Sequence, residues 1–106
     1  MEKAITEIED NQLYTELDFS EIDLEGRELK GCKFIHCSFR SARMESIITL
    51  RCSFSDCDFK AVRLNASMHE GSAFTNCQFI YTNFFTTQLK SVKCLARPSL
   101  MRVFSG

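Results

Sequence analysis

Several features of enzymes and membrane proteins are missing from this sequence. The chain has only four glycines, and none of them belongs to a phosphate-binding Gly-rich loop. The sequence also contains no zinc-protease motif. No apolar run approaches the length of a membrane span. Residues 1–12 are acidic and lack the apolar stretch of a secretory signal. The formal net charge of −1 favours neither nucleic acid nor membrane as a direct partner, and we expect a cytoplasmic protein.

The cysteines could hold a metal or form disulfides, because six of them occur in a short chain. However, the sequence contains no Cys-x-x-Cys pair, and its two histidines do not complete a zinc-finger pattern. Five of the six instead share one phase of a five-residue period: Cys32, Cys37, Cys52, Cys57 and Cys77. Cysteines that recur at one position of a repeat are typically small apolar core residues. We therefore predict neither a metal nor a cofactor.

The strongest pattern in the sequence is this period of five. Every fifth residue from Phe19 to Cys94 is Phe, Leu or Met, with Thr49, His69 and Cys94 as the exceptions. Eight of the ten phenylalanines lie in this series. The residues two positions earlier are mostly Cys, Ala, Val, Ser or Thr, and Arg27 is their single charged member. The pattern therefore indicates two inward positions in each unit, one large and one small.

A period of five fits neither a helix nor a long strand, and it requires a chain that turns a corner every five residues. Four corners close a coil of 20 residues, and stacked coils pair as parallel strands ~4.8 Å apart. We therefore predict an all-β solenoid of about four coils in which like side chains form ladders. The predicted core ladder is Phe19, Phe39, Phe59 and Phe79, with Phe34, Phe54 and Phe74, and with Cys37, Cys57 and Cys77.

The repeat unit resembles that of the pentapeptide-repeat family: a small residue, Asp or Asn, Leu or Phe, a polar residue and often Gly. It is visible in residues 22–26, 57–61 and 82–86, and the resemblance covers roughly residues 12–94. The resemblance implies a right-handed quadrilateral parallel β-helix in a bacterial cytoplasmic protein. It further implies a non-enzymatic rigid scaffold or protein-interaction module with an unknown protein partner.

A solenoid needs caps, because its end coils expose core and unpaired backbone groups. We expect a single domain over 1–106, with an N-terminal cap at 1–13, the β-helix at 14–94 and a C-terminal cap or tail at 95–106. A short helical turn over Ala4–Ile8 and a short C-terminal helix or irregular plug are the expected cap structures. A homodimer joined through one end of the solenoid would also cover exposed core.

Thr49 and His69 break the large-residue series on the same face of adjacent coils, and apolar residues flank them. One interpretation is a local bulge that turns Thr49 and His69 outward and buries Ile48, Leu50 and Met68. The other keeps strict register, so that these three form an exposed interaction patch. The outward aromatics Tyr81 and Phe85, beside Ile80, form a second candidate patch or pack against residues 95–106.

The charge layout bears on a second functional hypothesis. Among pentapeptide-repeat proteins, the Qnr-type quinolone-resistance proteins are thought to imitate DNA and so bind DNA gyrase or a related topoisomerase, which implies quinolone protection as the alternative function here. DNA imitation needs acidic charge along the whole rod. Residues 1–28 hold ten acids and two bases, whereas residues 29–106 hold four acids and 11 bases. The basic residues Arg40, Arg43, Arg51, Lys60 and Arg63 are expected to be solvated, and no nucleophile–base set for an enzyme is recognisable.

Overall fold

The computed structural model describes residues 2–3, 8–95 and 101–104. Every regular element in this part of the chain is a strand. The strands are β1 (Glu2–Lys3), β2 (Leu13–Thr15), β3 (Leu17–Asp18), β4 (Glu28–Lys30), β5 (Lys33–Ile35), β6 (Ile48–Leu50), β7 (Ser53–Ser55), β8 (Met68–Glu70), β9 (Ala73–Thr75), β10 (Phe79–Asn83), β11 (Gln88–Lys90), β12 (Lys93–Leu95) and β13 (Met101–Phe104).

The strands form the four faces of a solenoid. The first face is the sheet β2-β5-β7-β9-β12, and the fourth face is the sheet β4-β6-β8-β11. The second face runs from β3 through single-residue bridges to Gln78 beside β10. On the third face, bridges connect Asp23, Arg43, Arg63 and Asn83. All pairings are parallel, and successive coils pair residues 20 apart, as in Phe34 with Phe54. The predicted parallel β-solenoid of about four coils is confirmed.

The corners follow the period of five without interruption. Every fifth residue from Asn11 to Ser91 has a positive φ, between 51° and 72°, which turns the chain onto the next face. Asp or Asn before the large residue supports several of these corners. Asp18, Asp58 and Asn83 each accept, through Oδ1, the backbone N–H two residues on, at 2.8–2.9 Å. This local hydrogen bond is the physical reason for an acidic or amide residue at that position.

The core consists of two aromatic stacks. On the second face, Phe19, Phe39, Phe59 and Phe79 stack with ring centroids 5.2 Å apart. On the first face, Tyr14 continues the stack of Phe34, Phe54 and Phe74, in which the phenylalanine rings lie 4.9 Å apart. Rings of the two stacks meet at steep angles of 65–84°. Near-parallel stacking along the axis and edge-on contact across it are the favourable aromatic geometries.

The small inward residues also act as hydrogen-bond donors. The thiols of Cys37, Cys57 and Cys77 donate to carbonyl oxygens 23 residues earlier, at 3.3–3.4 Å. Thr82 makes the same bond with its hydroxyl at 2.7 Å. The five cysteines whose side chains are described are free and buried, and burial raises the pKa of the Cys52 thiol to about 11. Cysteine is therefore small enough for the corner and also donates a hydrogen bond to a backbone carbonyl. The repeat pattern in the sequence, which indicated only a small apolar residue, did not predict this second role.

Both ends carry additional strands. At the N-terminal end β1 pairs with β3, Ile8 is buried, and Arg27 donates from Nη2 to the Ile8 carbonyl at 3.1 Å. Arg27 thus holds the cap, which accounts for a charged residue in the small inward series. At the C-terminal end β13 pairs with β10, so the predicted short C-terminal helix is wrong over 101–104. The predicted helical turn falls largely on residues 4–7, which lie outside the described residues.

Candidate functional site

Thr49 and His69 point into the core. They pair directly in the unbroken register of β6 and β8, and their exposed fractions are 0% and 1%. The bulge that would have turned them outward is therefore wrong, because positive-φ corners on both sides fix the phase of each face. Ile48, Leu50 and Met68 accordingly point outward from the fourth face.

A chain of hydrogen bonds satisfies this buried polar pair. The Cys52 N–H donates to Ser72 Oγ at 3.2 Å, and Ser72 and Thr49 hydroxyls lie 3.0 Å apart. Thr49 Oγ1 is 2.6 Å from His69 Nδ1, and Ser67 Oγ is 2.9 Å from His69 Nε2. Ser67 in turn donates to the Leu64 carbonyl. Because the Ser67 hydroxyl proton is used in the bond to that carbonyl, Ser67 Oγ acts as an acceptor toward His69. His69 therefore donates from Nε2 and accepts at Nδ1 from Thr49.

In this hydrogen-bond order the imidazole is neutral, with Nδ1 as its acceptor. A second proton on Nδ1 would require the Thr49 and Ser72 hydroxyls to reverse their donor directions. Burial acts in the same direction and lowers the pKa of His69 from 6.5 to about 4. The Ser67–His69 contact has the spacing of a nucleophile and its base, but both residues are only 1% exposed. A substrate cannot reach them in this fold, so the cluster is a structural element of the core.

The outward candidate residues form two separate sets. Ile48 and Leu50 are half-buried on the fourth face, and Met68 beside them is 41% exposed. Tyr81 lies at the corner between the second and third faces, and Phe85 lies at the end of the third face. These two are 52% and 53% exposed. The structure therefore does not join the two sets into one patch.

Three of the five candidate basic residues, Arg40, Arg43 and Arg63, pair with acids of neighbouring coils. Arg40 Nε lies 2.6 Å from Asp58 Oδ2. Arg43 pairs with Glu25 at 3.2 Å. Pairs at exposed positions such as these contribute about 1 kcal/mol or less. Their main consequence is that the second and third faces carry no continuous strip of one charge.

The fourth face also holds a shallow cavity. Its volume is about 310 Å³, and Leu50, Arg51 and Glu70 line it. Across the described part of the chain, no group of three or more His, Cys, Asp or Glu side chains is placed to hold a metal ion. The same residues include no helix long and apolar enough to cross a bilayer.

The pairing every 20 residues, the corners every five and the stacked core define a quadrilateral pentapeptide-type solenoid. The family model described as "Pentapeptide repeat region" matches residues 27–97, and the chain belongs to the pentapeptide-repeat family. Among curated protein sequences, none is similar enough to count as a relative.

The chain is also similar to several solved structures. A pentapeptide repeat protein from the thylakoid lumen of Arabidopsis thaliana matches with a TM-score of 0.52 and 16% identity, covering 77% of this chain and 61% of that one. This chain therefore spans about three fifths of that protein. QnrB1, a plasmid-mediated fluoroquinolone resistance protein, gives 0.43 and 17%, covering 78% and 58%. Rfr23 from the cyanobacterium Cyanothece 51142 gives 0.41 and 13%, covering 81% and 84%.

Proposed function

We propose that this protein is a non-enzymatic interaction module, a rigid rod that presents outward side chains to a protein partner. The observation that carries the proposal is the contrast between inside and outside. Ser67 and His69, which have the spacing of a nucleophile and its base, are buried in the core. Apolar side chains such as Met68, in contrast, project outward from regular strands. Members of the pentapeptide-repeat family are in general structural or interaction proteins.

The regular backbone supports such a role. Each coil is hydrogen-bonded to its neighbours on all four faces, so outward side chains are held at fixed spacings. Preorganised contacts lose little conformational entropy when a partner binds. The fourth-face set of Ile48, Leu50 and Met68 is the better candidate surface, because it lies in the middle of the rod. Tyr81 and Phe85 form the second candidate near the C-terminal end.

An end-joined homodimer remains part of the proposal. In the described part of the chain, β11 pairs only with β8, and β12 pairs only with β9. Each therefore offers a free edge, and Leu89 in the middle of β11 is 58% exposed. Free edges with exposed apolar side chains favour association with another chain. The proposed location is the cytoplasm, and the free buried thiols suit a reducing compartment.

The DNA-imitation alternative has weaker support. It needs acidic charge along the rod, but the acids are concentrated in the first coil. Each of the four later acids lies within 4 Å of an Arg, Lys or His side chain. A gyrase supercoiling assay, with and without a quinolone, tests it directly. Protection or inhibition at micromolar protein would favour this alternative over the interaction module.

The interaction module is tested by affinity capture from the source cell with matched variants. The wild type should retain a protein that the Leu50→Glu/Met68→Glu variant loses, while the Tyr81→Ser/Phe85→Ser variant reports on the second set. Thermal unfolding of each variant provides the control for folding. Equal capture by all of them, or no capture, would contradict the proposal.

A further inference from the structure

We infer that the fourth face binds the fourth face of a second copy of this chain, with the two rods side by side and parallel. This inference rests on the proposed function, since it takes the fourth face as an interaction surface, and it names the occupant of that surface. The argument depends on how the outward side chains of this face are arranged and on the symmetry that their arrangement allows.

The fourth face presents two outward columns, which the strand register fixes. The first residues of β4, β6, β8 and β11 form one column, and the third residues form the other. The first column is Glu28, Ile48, Met68 and Gln88. The second column is Lys30, Leu50, Glu70 and Lys90. Both columns are outward because the middle residues of these strands, Leu29, Thr49, His69 and Leu89, occupy the inward position.

A two-fold axis parallel to the rod exchanges the two columns and keeps each coil at its own level. Glu28 of one copy then faces Lys30 of the other, and the same pair forms a second time by symmetry. At the next level Ile48 faces Leu50 of the second copy, again twice. The surface is thus self-complementary in charge on one coil and in apolar character on the next, as a closed two-fold interface requires.

The alternative face-to-face dimer, with antiparallel rods, is disfavoured by the same residues. A two-fold axis along the strands keeps each column but reverses the order of the coils. Lys30 would then face Lys90 of the second copy, and like charges opposed at an interface oppose association. An apolar side chain faces a carboxylate in both arrangements, Leu50 with Glu70 in the antiparallel dimer and Met68 with Glu70 in the parallel one, so the lysine pair is what distinguishes them.

The size of the face sets the strength of the contact. The molecule measures 33 × 24 × 22 Å, so one side buries only a few hundred Å² of each partner, less than the ~800 Å² of a standard stable interface. Within one chain Glu28 Oε1 also lies 3.1 Å from Lys30 Nζ. This ion pair within the chain competes with the ion pairs to the second copy. We therefore expect a weak dimer that is populated at high protein concentration and lost on dilution.

Sedimentation velocity over a concentration series tests the inference. The wild type should shift from monomer to dimer, whereas Glu28→Lys and Lys30→Glu should each stay monomeric. Mixing these two variants should restore a dimer, because each column then meets a complementary one. The double variant Glu28→Lys/Lys30→Glu should dimerise like the wild type. Lys33→Glu on the first face is the matched charge control and should leave the dimer intact.

Other outcomes would overturn the inference. In the antiparallel arrangement Lys30→Glu alone would strengthen the dimer, because it removes the repulsion from Lys90. A dimer that survives both single variants but is lost in Leu89→Lys would be joined through the end instead. A wild type that stays monomeric, yet captures a partner in a Leu50-dependent manner, overturns only the self-association. A monomer that captures nothing overturns the proposed function as well.

Discussion

Left-handed backbone occurs at every corner residue, yet only three of these residues are glycine: Gly26, Gly31 and Gly71. A side chain in this region costs roughly 1 kcal/mol relative to glycine. The fold therefore carries a small, repeated conformational cost, which the hydrogen bonds between coils offset. Corner residues are the place where single substitutions change stability without changing the core.

The corner cost gives a prediction with a matched pair. At Gly26 an added Cβ would meet nothing within 4 Å, so Gly26→Ala should destabilise the protein by about 1 kcal/mol through the backbone alone. Ala66 has a φ of 59°, and Ala66→Gly should shift stability in the opposite direction. Urea unfolding followed by circular dichroism measures both. Equal and negligible shifts would show that the corners are not strained.

His69 gives a prediction about pH. Its pKa is about 4 in the folded protein and 6.5 ordinarily, so the folded state binds fewer protons between these values. Stability should therefore be complete above pH 6.5, fall as the pH drops and level off below about 4. The full loss is on the order of 3 kcal/mol. Urea midpoints measured from pH 7 to pH 4 test this dependence.

His69→Gln is the control for that experiment. The amide can still donate to Ser67 and accept from Thr49, but it does not titrate. The pH dependence attributed to His69 should disappear in this variant. If the variant loses stability with pH as steeply as the wild type does, another group is responsible.

At the scale of elements, the aromatic stacks fix the spacing of the strands. Phe59 lies in the middle of the second-face stack, is fully buried and touches rings above, below and across the axis. Each inward ring packs against the coil on either side. A gap in the middle of a stack therefore affects three coils, whereas a gap at the end affects one or two.

Phe59→Ala should consequently destabilise the protein by about 3–5 kcal/mol, and Phe59→Asp should prevent folding by burying an unpaired charge. Phe84 is only half-buried near the C-terminal end, so Phe84→Ala should cost clearly less. Thermal and urea unfolding of the three variants gives the comparison. Similar losses at both alanine positions would contradict the idea that stacking depends on position along the rod.

At the scale of the whole molecule, stability should vary along the axis. Each coil contacts only its neighbours, so end coils have support on one side. Among the described residues, β11 is the last strand of the fourth face. Its middle residue Leu89 is 58% exposed, whereas Thr49 in β6 is fully buried. The molecule should therefore open from its C-terminal end while the middle coils stay closed.

Amide hydrogen exchange should report this gradient. The N–H groups of β6 and β7 should exchange only through global unfolding, and those of β11 should exchange faster through local opening. The N-terminal end, which Ile8 and Arg27 cap, should be better protected than the C-terminal end. Uniform protection over all coils would show that the rod unfolds as one unit.

The sequence by itself determined the architecture, because a period of five residues leaves one arrangement in which large side chains such as Phe39, Phe59 and Phe79 share an interior axis. It also offered strict register, in which Ile48, Leu50 and Met68 point outward, as one of two interpretations of this face. Only the tertiary structure decided that this register holds at Thr49 and His69. Their burial depends on Ser67 and Ser72, whose hydroxyls reach the imidazole and the threonine only once the coils are stacked. Periodicity records which positions face inward, but not which polar groups meet there. The sequence therefore left open both the bulge and the strict register, and it did not predict the buried cluster.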